Sequence, residues 1–124
     1  MPDIQFRATA LQLNASYPNY VPHNYNPSGI ASENGIITIQ FKNKTTDESF
    51  TIIEEHSSWD SNALLNNYVK PTHGDDYVVL REKGLTIYIN ETSASWVNGG
   101  IVYKLEIENG NLSKKQISDI AVSF

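Results

Sequence analysis

The chain contains no cysteine, which removes disulfide staples, a thiol nucleophile and thiolate metal sites together and leaves the redox compartment open. Basic residues are scarce: nine Lys and Arg face fourteen Asp and Glu, a formal net charge of −5, and only Lys114-Lys115 adjoin. The positive stripe that a phosphate backbone demands is missing, so nucleic acid is not an expected partner. Seven tyrosines without interleaved basic residues read as core and turn residues rather than base-stacking platforms. No apolar run approaches the ~20 residues of a membrane-spanning helix, and Met1 to Ala10 lacks the basic-then-apolar layout of a signal peptide. Any anchor or export signal is therefore expected upstream of this chain.

What is present fits one ordinary domain, residues 1–124. Forty per cent of the residues are hydrophobic and 19% charged, enough to exclude wholesale disorder. A chain of this length is expected to bury roughly two-thirds of its unfolded surface without metal or disulfide support.

Along the chain, residues 1–13 are ambiguous. Ile4, Ala8 and Leu11 fit helical spacing, while Leu11 and Leu13 also fit a strand. From Tyr17 to Pro27, three prolines exclude a regular helix and a central strand, and an extended surface segment pinned by tyrosines is expected. Alternation then predicts a hairpin: Ile37, Ile39 and Phe41 share a face, Asn43 to Asp47 turns, and Ser49 to Glu55 returns. Ser57 to Val69 reads as a helix with Leu64, Leu65, Tyr68 and Val69 on one face, a Ser or Asp N-cap, and Pro71 as its stop. Tyr77 to Arg81 and Leu85 to Asn90 form a second hairpin across Glu82-Lys83-Gly84. Ala94 to Val97 and Ile101 to Ile107 form a third across Asn98-Gly99-Gly100. At the end, Ser113 with Gln116 makes a capping box and Leu112 with Ile117 a hydrophobic staple. The helix they start carries the stripe Ile117, Ile120, Ala121 and Phe124, which must lie on a sheet.

No catalytic signature accompanies this pattern. Glu54-Glu55-His56 and His73-Gly74-Asp75-Asp76 contain imidazoles and carboxylates, but their spacing matches no metal site with a mechanism, and they read as solvated loop residues flanking strands. Asp75-Asp76 lacks the alternation of a calcium loop. No Gly-x-Ser-x-Gly elbow occurs, and Gly99-Gly100 is a turn rather than a phosphate cradle. Trp59 and Trp96 are read as core anchors in preference to ligand-stacking platforms. Asparagine is abundant, so the sequons at Asn14, Asn43, Asn90 and Asn111 are read as chance matches.

Three stretches carry a family likeness, Tyr17 to Tyr25, Glu54 to Val69 and Ala94 to Phe124, and within them the motifs read Pro18-Asn19-Tyr20-Val21-Pro22-His23-Asn24-Tyr25, then Trp96-Val97-Asn98-Gly99-Gly100-Ile101-Val102-Tyr103, then Leu112 to Phe124. Together they resemble a bacterial domain of unknown function found at the extracytoplasmic end of membrane-anchored and anti-sigma-factor-like proteins. That family has a Gly before the second tyrosine, where this chain has Asn24, the next-best occupant of the left-handed region. The resemblance implies an extracytoplasmic location, and a more distant likeness to periplasmic lipoprotein-carrier and sigma-regulator domains is the only source for an apolar ligand.

The reading is thus an α+β fold, a curved antiparallel sheet of about six strands with at least two helices packed on it. The expected function is a non-catalytic extracytoplasmic binding or sensing module of a membrane-anchored bacterial protein, with a protein or an apolar small molecule as partner and no cofactor or metal. The alternatives are a carrier-like binder of a lipid or lipoprotein and a hydrolase with an unrecognised acidic site. Tyr17, Tyr20 and Tyr25 are the candidate binding residues, because neighbouring prolines hold them rigidly.

Overall fold

Three two-residue turns set the outline of the sheet. Asn34-Gly35, Lys83-Gly84 and Gly99-Gly100 all have positive φ at both positions (54° and 79°, 48° and 83°, 60° and 80°), the backbone whose twist matches a hairpin's flanking strands. In the computed structural model, which describes residues 2–124 and side chains from Ile4 onward, these turns join β1 (Tyr25–Glu33) to β2 (Ile36–Asn43), β4 (Val78–Glu82) to β5 (Leu85–Ile89), and β6 (Ser93–Asn98) to β7 (Ile101–Asn109). With β3 (Ser49–His56) they form one open antiparallel sheet in the order β1-β2-β3-β7-β6-β5-β4.

The sheet therefore has seven strands, not about six. The additional one is β1, which begins inside the tyrosine–proline segment. Its Pro27 is tolerated because β1 is an edge strand and its register shifts between Pro27 and Gly29, the bulge that a missing N–H favours. Residues 2–12, ambiguous in sequence, form helix α1 (Pro2–Gln12), which packs on β1. Its buried position is Ala10, while Ile4 and Leu11 of the apparent stripe are 62% and 77% exposed.

Between β3 and β4 the chain is helical in three consecutive segments: α2 (Ser61–Leu64), a π-helical turn (Leu65–Val69) and α3 (Lys70–His73). Asp60 is the N-cap, its carboxylate accepting from the Ala63 N–H at 2.8 Å. Pro71 does not stop this helix. It sits in the first turn of α3, just after the π turn, where the N–H it lacks has no obligatory partner. The stop is Gly74, φ 62°, whose N–H bonds to the Lys70 carbonyl at 2.8 Å.

Both faces of the sheet are used. On one, Ile39, Phe41, Phe50, Ile52, Ile87, Trp96, Tyr103 and Leu105 are buried beneath helix α4 (Lys114–Val122) and the segment that follows α1. Phe41 stacks on Phe50 at 5.1 Å, and Trp96 stacks on Tyr103 at 5.4 Å. On the other face, Leu64 and Val69 from the α2–α3 stretch close over Tyr88 and Val102. The Tyr88 hydroxyl donates to the Ser61 carbonyl at 2.9 Å, and the Lys104 ammonium lies 4.0 Å from the Tyr68 ring centre.

Helix α4 begins as the sequence predicts. Ser113 accepts from the Gln116 N–H at 3.0 Å and Gln116 accepts from the Ser113 N–H at 2.8 Å. Its stripe buries Ile117, Ile120 and Ala121 completely, and beyond its end the Phe124 ring lies 4.6 Å from Tyr103. Phe124→Ala is expected to cost about 2–3 kcal/mol, because the half-buried ring contributes both area and aromatic contact, and Ser113→Ala about 1 kcal/mol. Urea denaturation of both variants checks this; equal losses would mean that the ring adds nothing beyond a cap.

Candidate functional site

The tyrosine–proline segment is fixed from both ends of the chain. Pro18 and Pro22 are buried and set their own φ angles, so the loop has few conformations to lose. Asn19 is the hub. Its backbone N–H bonds to the Ser123 carbonyl at 3.2 Å and the Ser123 hydroxyl at 3.1 Å, its side-chain amide donates to the same carbonyl at 3.0 Å, and its Oδ1 accepts from Arg7 at 3.0 Å. One residue thus joins α1, the loop and the C-terminus of α4. Asn24, φ 72°, occupies the left-handed position expected of it, and its carbonyl accepts from the Lys44 N–H at 2.9 Å.

This scaffold brings Tyr17, Tyr20 and Tyr25 around one cleft of about 260 Å³, with Arg7, Asn26 and Pro27 at its walls and Phe41 beneath. The three tyrosines are not equivalent. Tyr25 is 9% exposed, its ring 5.1 Å from Phe50, and burial, aided by Glu48, holds its phenol above the ordinary value. Tyr17 is half-buried, its ring 6.1 Å from Phe41 and capped by the Arg7 guanidinium at 4.7 Å. Tyr20 is 37% exposed. Tyr25 and Tyr17 therefore anchor the cleft, and Tyr20 is the ring it leaves open to solvent.

Sequence reasoning missed a second feature. Glu54, read as part of a solvated loop, is 2% exposed in β3 on the apolar face, between Ile37 and Tyr103 of the neighbouring strands. The signal was available, since Phe50, Ile52 and Glu54 are two apart and must share a face. Its Oε1 accepts from the Ser16 N–H at 2.9 Å, and its Oε2 has no hydrogen-bond partner. Burial pushes the carboxyl up to about 7, against the lowering effects of the Ser16 N–H and of His56. Tyr103 beside it is also raised, by burial first, with Ser16 opposing and Glu54 adding. The exposed His56, as its Nε2–H tautomer, donates to the Asn14 carbonyl at 3.2 Å, so the stretch after α1 is fastened to β3 at two points.

The remaining candidates do not converge. His73 lies at the end of α3, where its Nδ1 accepts from the Asn90 amide at 2.8 Å, and Asp75 and Asp76 follow in an exposed loop. Among the described residues no three His, Asp or Glu side chains gather as a metal site would require. Trp96 is fully buried with no hydrogen-bond partner for its indole N–H, and Trp59 is half-buried in the outer-face cluster, so both act as anchors.

Tyr25→Ala is expected to cost about 3 kcal/mol and Tyr20→Ala less than ~1 kcal/mol in denaturant titrations; equal losses would erase the distinction between anchor and contact. Glu54 predicts a pH dependence. An acid raised in the folded state adds stability that is intact below its unfolded value near 4.5 and is lost as pH rises to about 7. The loss should be on the order of 3 kcal/mol. Glu54→Gln, which keeps the acceptor for Ser16, should flatten that slope in melts between pH 4.5 and 8. A slope unchanged by the substitution would show that the carboxyl titrates normally. No protein-family model, curated protein or solved structure matches the chain.

Proposed function

We propose that the domain is a non-catalytic binding module that works outside the cytoplasm on a membrane-anchored parent, and that it recognises a segment of another protein at the tyrosine cleft. The observation that carries this reading is the rigid presentation of the half-open Tyr20 ring beside a cleft braced by prolines and by Asn19. Aromatic rings held at little conformational cost are what recognition surfaces use, because the entropy of ordering them is already spent. The cleft volume of about 260 Å³ lies below the ~300–1,000 Å³ of small-molecule pockets. At this cleft, that volume suits one or two inserted side chains better than a lipid chain. The likeness of the segment from Pro18 to Tyr25 to extracytoplasmic domains supports the location.

The hydrolase alternative needs an acid that a substrate can reach. Glu54 has the raised pKa a general acid requires, but it is 2% exposed beneath the Asn14–Ser16 stretch, and its burial serves attachment of that stretch.

The test is a random peptide display selection against the wild-type domain, with binders re-assayed on Tyr20→Ala. The expected result is enriched peptides whose affinity falls at least about tenfold on Tyr20→Ala while the melting temperature barely moves, the behaviour of an exposed contact residue. Peptides that bind both proteins equally would place recognition elsewhere, and capture of a fluorescent apolar probe in preference to peptides would favour the carrier.

A further inference from the structure

The stretch between α1 and the tyrosine–proline segment, residues 13–17, lies on the sheet without joining it as a strand. Leu13, Ala15 and Tyr17 pack on the apolar core, and polar fastenings run to β3: the Ser16 N–H donates to Oε1 of Glu54 at 2.9 Å, and His56 donates to the Asn14 carbonyl at 3.2 Å. This strap covers Glu54, which is 2% exposed and whose Oε2 has no hydrogen-bond partner. The walls beside the carboxyl are strands. Ile37 of β2 and Tyr103 of β7 stand opposite Glu54, and both strands pair with β3 in continuous register at that level.

Protonated, the carboxyl in this position is a neutral group with one oxygen satisfied by Ser16. Ionised, it has lost its hydration, and a single N–H does not replace the shell of donors that a carboxylate takes in water. The groups that bear on it are the Ser16 N–H, His56 two residues along β3, and Tyr103 opposite in β7. Burial outweighs the lowering effects of Ser16 and His56 and holds the carboxyl at about 7. Water can reach the ionised group either by parting β3 from a neighbouring strand or by lifting the strap. Parting the strands breaks backbone ladders, whereas lifting the strap releases the fastenings of Asn14 and Ser16 and leaves the ladders whole, so the strap is the wall that yields first. Its two ends are fixed separately, by α1 before it and by the bonds of Asn19 to Ser123 after it.

We propose that residues 13–17 form a pH-operated strap, closed over a protonated Glu54 and lifted from β3 when that carboxyl ionises, with α1 and the sheet left in place. The closed form holds the proton and the open form releases it, so opening increases as pH rises above the ordinary value near 4.5 and levels off above about 7. With the ordinary value restored in the open form, the opening equilibrium grows about thirtyfold between about pH 5.5 and about pH 8.5. This inference concerns the strap alone and does not rest on the tyrosine cleft being a recognition site.

Residue-resolved amide hydrogen exchange of the full chain at those two pH values, with rates corrected for intrinsic chemical exchange, tests it. The expected result is that protection of the Ser16 amide falls about thirtyfold from the lower pH to the higher, while the amides of Ile39 and Ile52 in the β2–β3 ladder stay far better protected at both. Glu54→Gln, which keeps the acceptor for Ser16, should remove the pH response, and His56→Gln, which leaves Glu54 in place, should preserve it. The wild-type comparison gives an answer that does not depend on how either variant folds. Corrected protection of Ser16 that is the same at both pH values, or that equals that of Ile52 and so reports only global unfolding, would overturn the proposal. So would a response that survives Glu54→Gln or disappears with His56→Gln.

Discussion

The pairing of β3 with β7 is the contact on which the structure depends. Without it the chain would be two separate meanders, β1-β2-β3 and β4-β5-β6-β7, each with a half-made core. The pairing runs from Ser49 opposite Asn109 to His56 opposite Ile101, and the Ser57 N–H extends it to the Gly100 carbonyl at 2.9 Å. It places Ile52 against Leu105 and Phe50 against Ile107, merging two apolar surfaces into one that α4 can cover. Because these partners are distant in sequence, their closure costs loop entropy that local hairpins do not, and the tight turns at Lys83-Gly84 and Gly99-Gly100 reduce that cost by forming their strands beforehand.

The same pairing creates the polar strain of the core. It sets Glu54 opposite Tyr103, with Trp96 stacked on the far side of that ring, so a carboxyl, a phenol and an indole N–H are drawn into one apolar neighbourhood. Two of these groups leave an atom without a partner, Oε2 of Glu54 and Nε1 of Trp96. Each such atom costs about 1–3 kcal/mol, which the surrounding aromatic burial must offset. What this gains the molecule is attachment: the Ser16 N–H finds its acceptor in Glu54, and the stretch after α1 is held across the sheet.

Much of this was legible in the chain. The periodicity of β2, β3, β5 and β7, the turns at Lys83-Gly84 and Gly99-Gly100, and the cap at Ser113 are local signals, and local chemistry decided them. β1 was hidden because Pro27 argues against a strand, although Asn34-Gly35 between two extended runs is a strong hairpin signal. Pro71 misled for a related reason, since a π turn just before it relieves the requirement for its N–H. Residues 2–12 could not be resolved by pattern because the buried side of α1 is set by where it lands on β1, and its residues Ile4 and Leu11 point to solvent. The three tyrosines were found through their prolines, but their unequal exposure depends on Phe41 and Phe50, which lie far along the chain.

The candidate site shows why function is harder to read than fold. A catalytic centre writes its geometry into sequence as motifs, since reacting groups must stand at fixed distances. A recognition surface needs only shape and rigidity, which many sequences supply. In this chain the rigidity has an identifiable origin, the hydrogen bonds of Asn19 to Ser123 on one side and Arg7 on the other. Those bonds hold the segment from Tyr17 to Pro27 against the C-terminus of α4, so the helix that covers the core also fixes the cleft. On the proposed reading, stability and recognition would be coupled there, because loosening the end of α4 would release Asn19 and with it the position of Tyr20. A ligand that rests on Tyr20 would in turn favour the docked end of α4, because binding energy spent on the ordered cleft is shared with every contact that orders it.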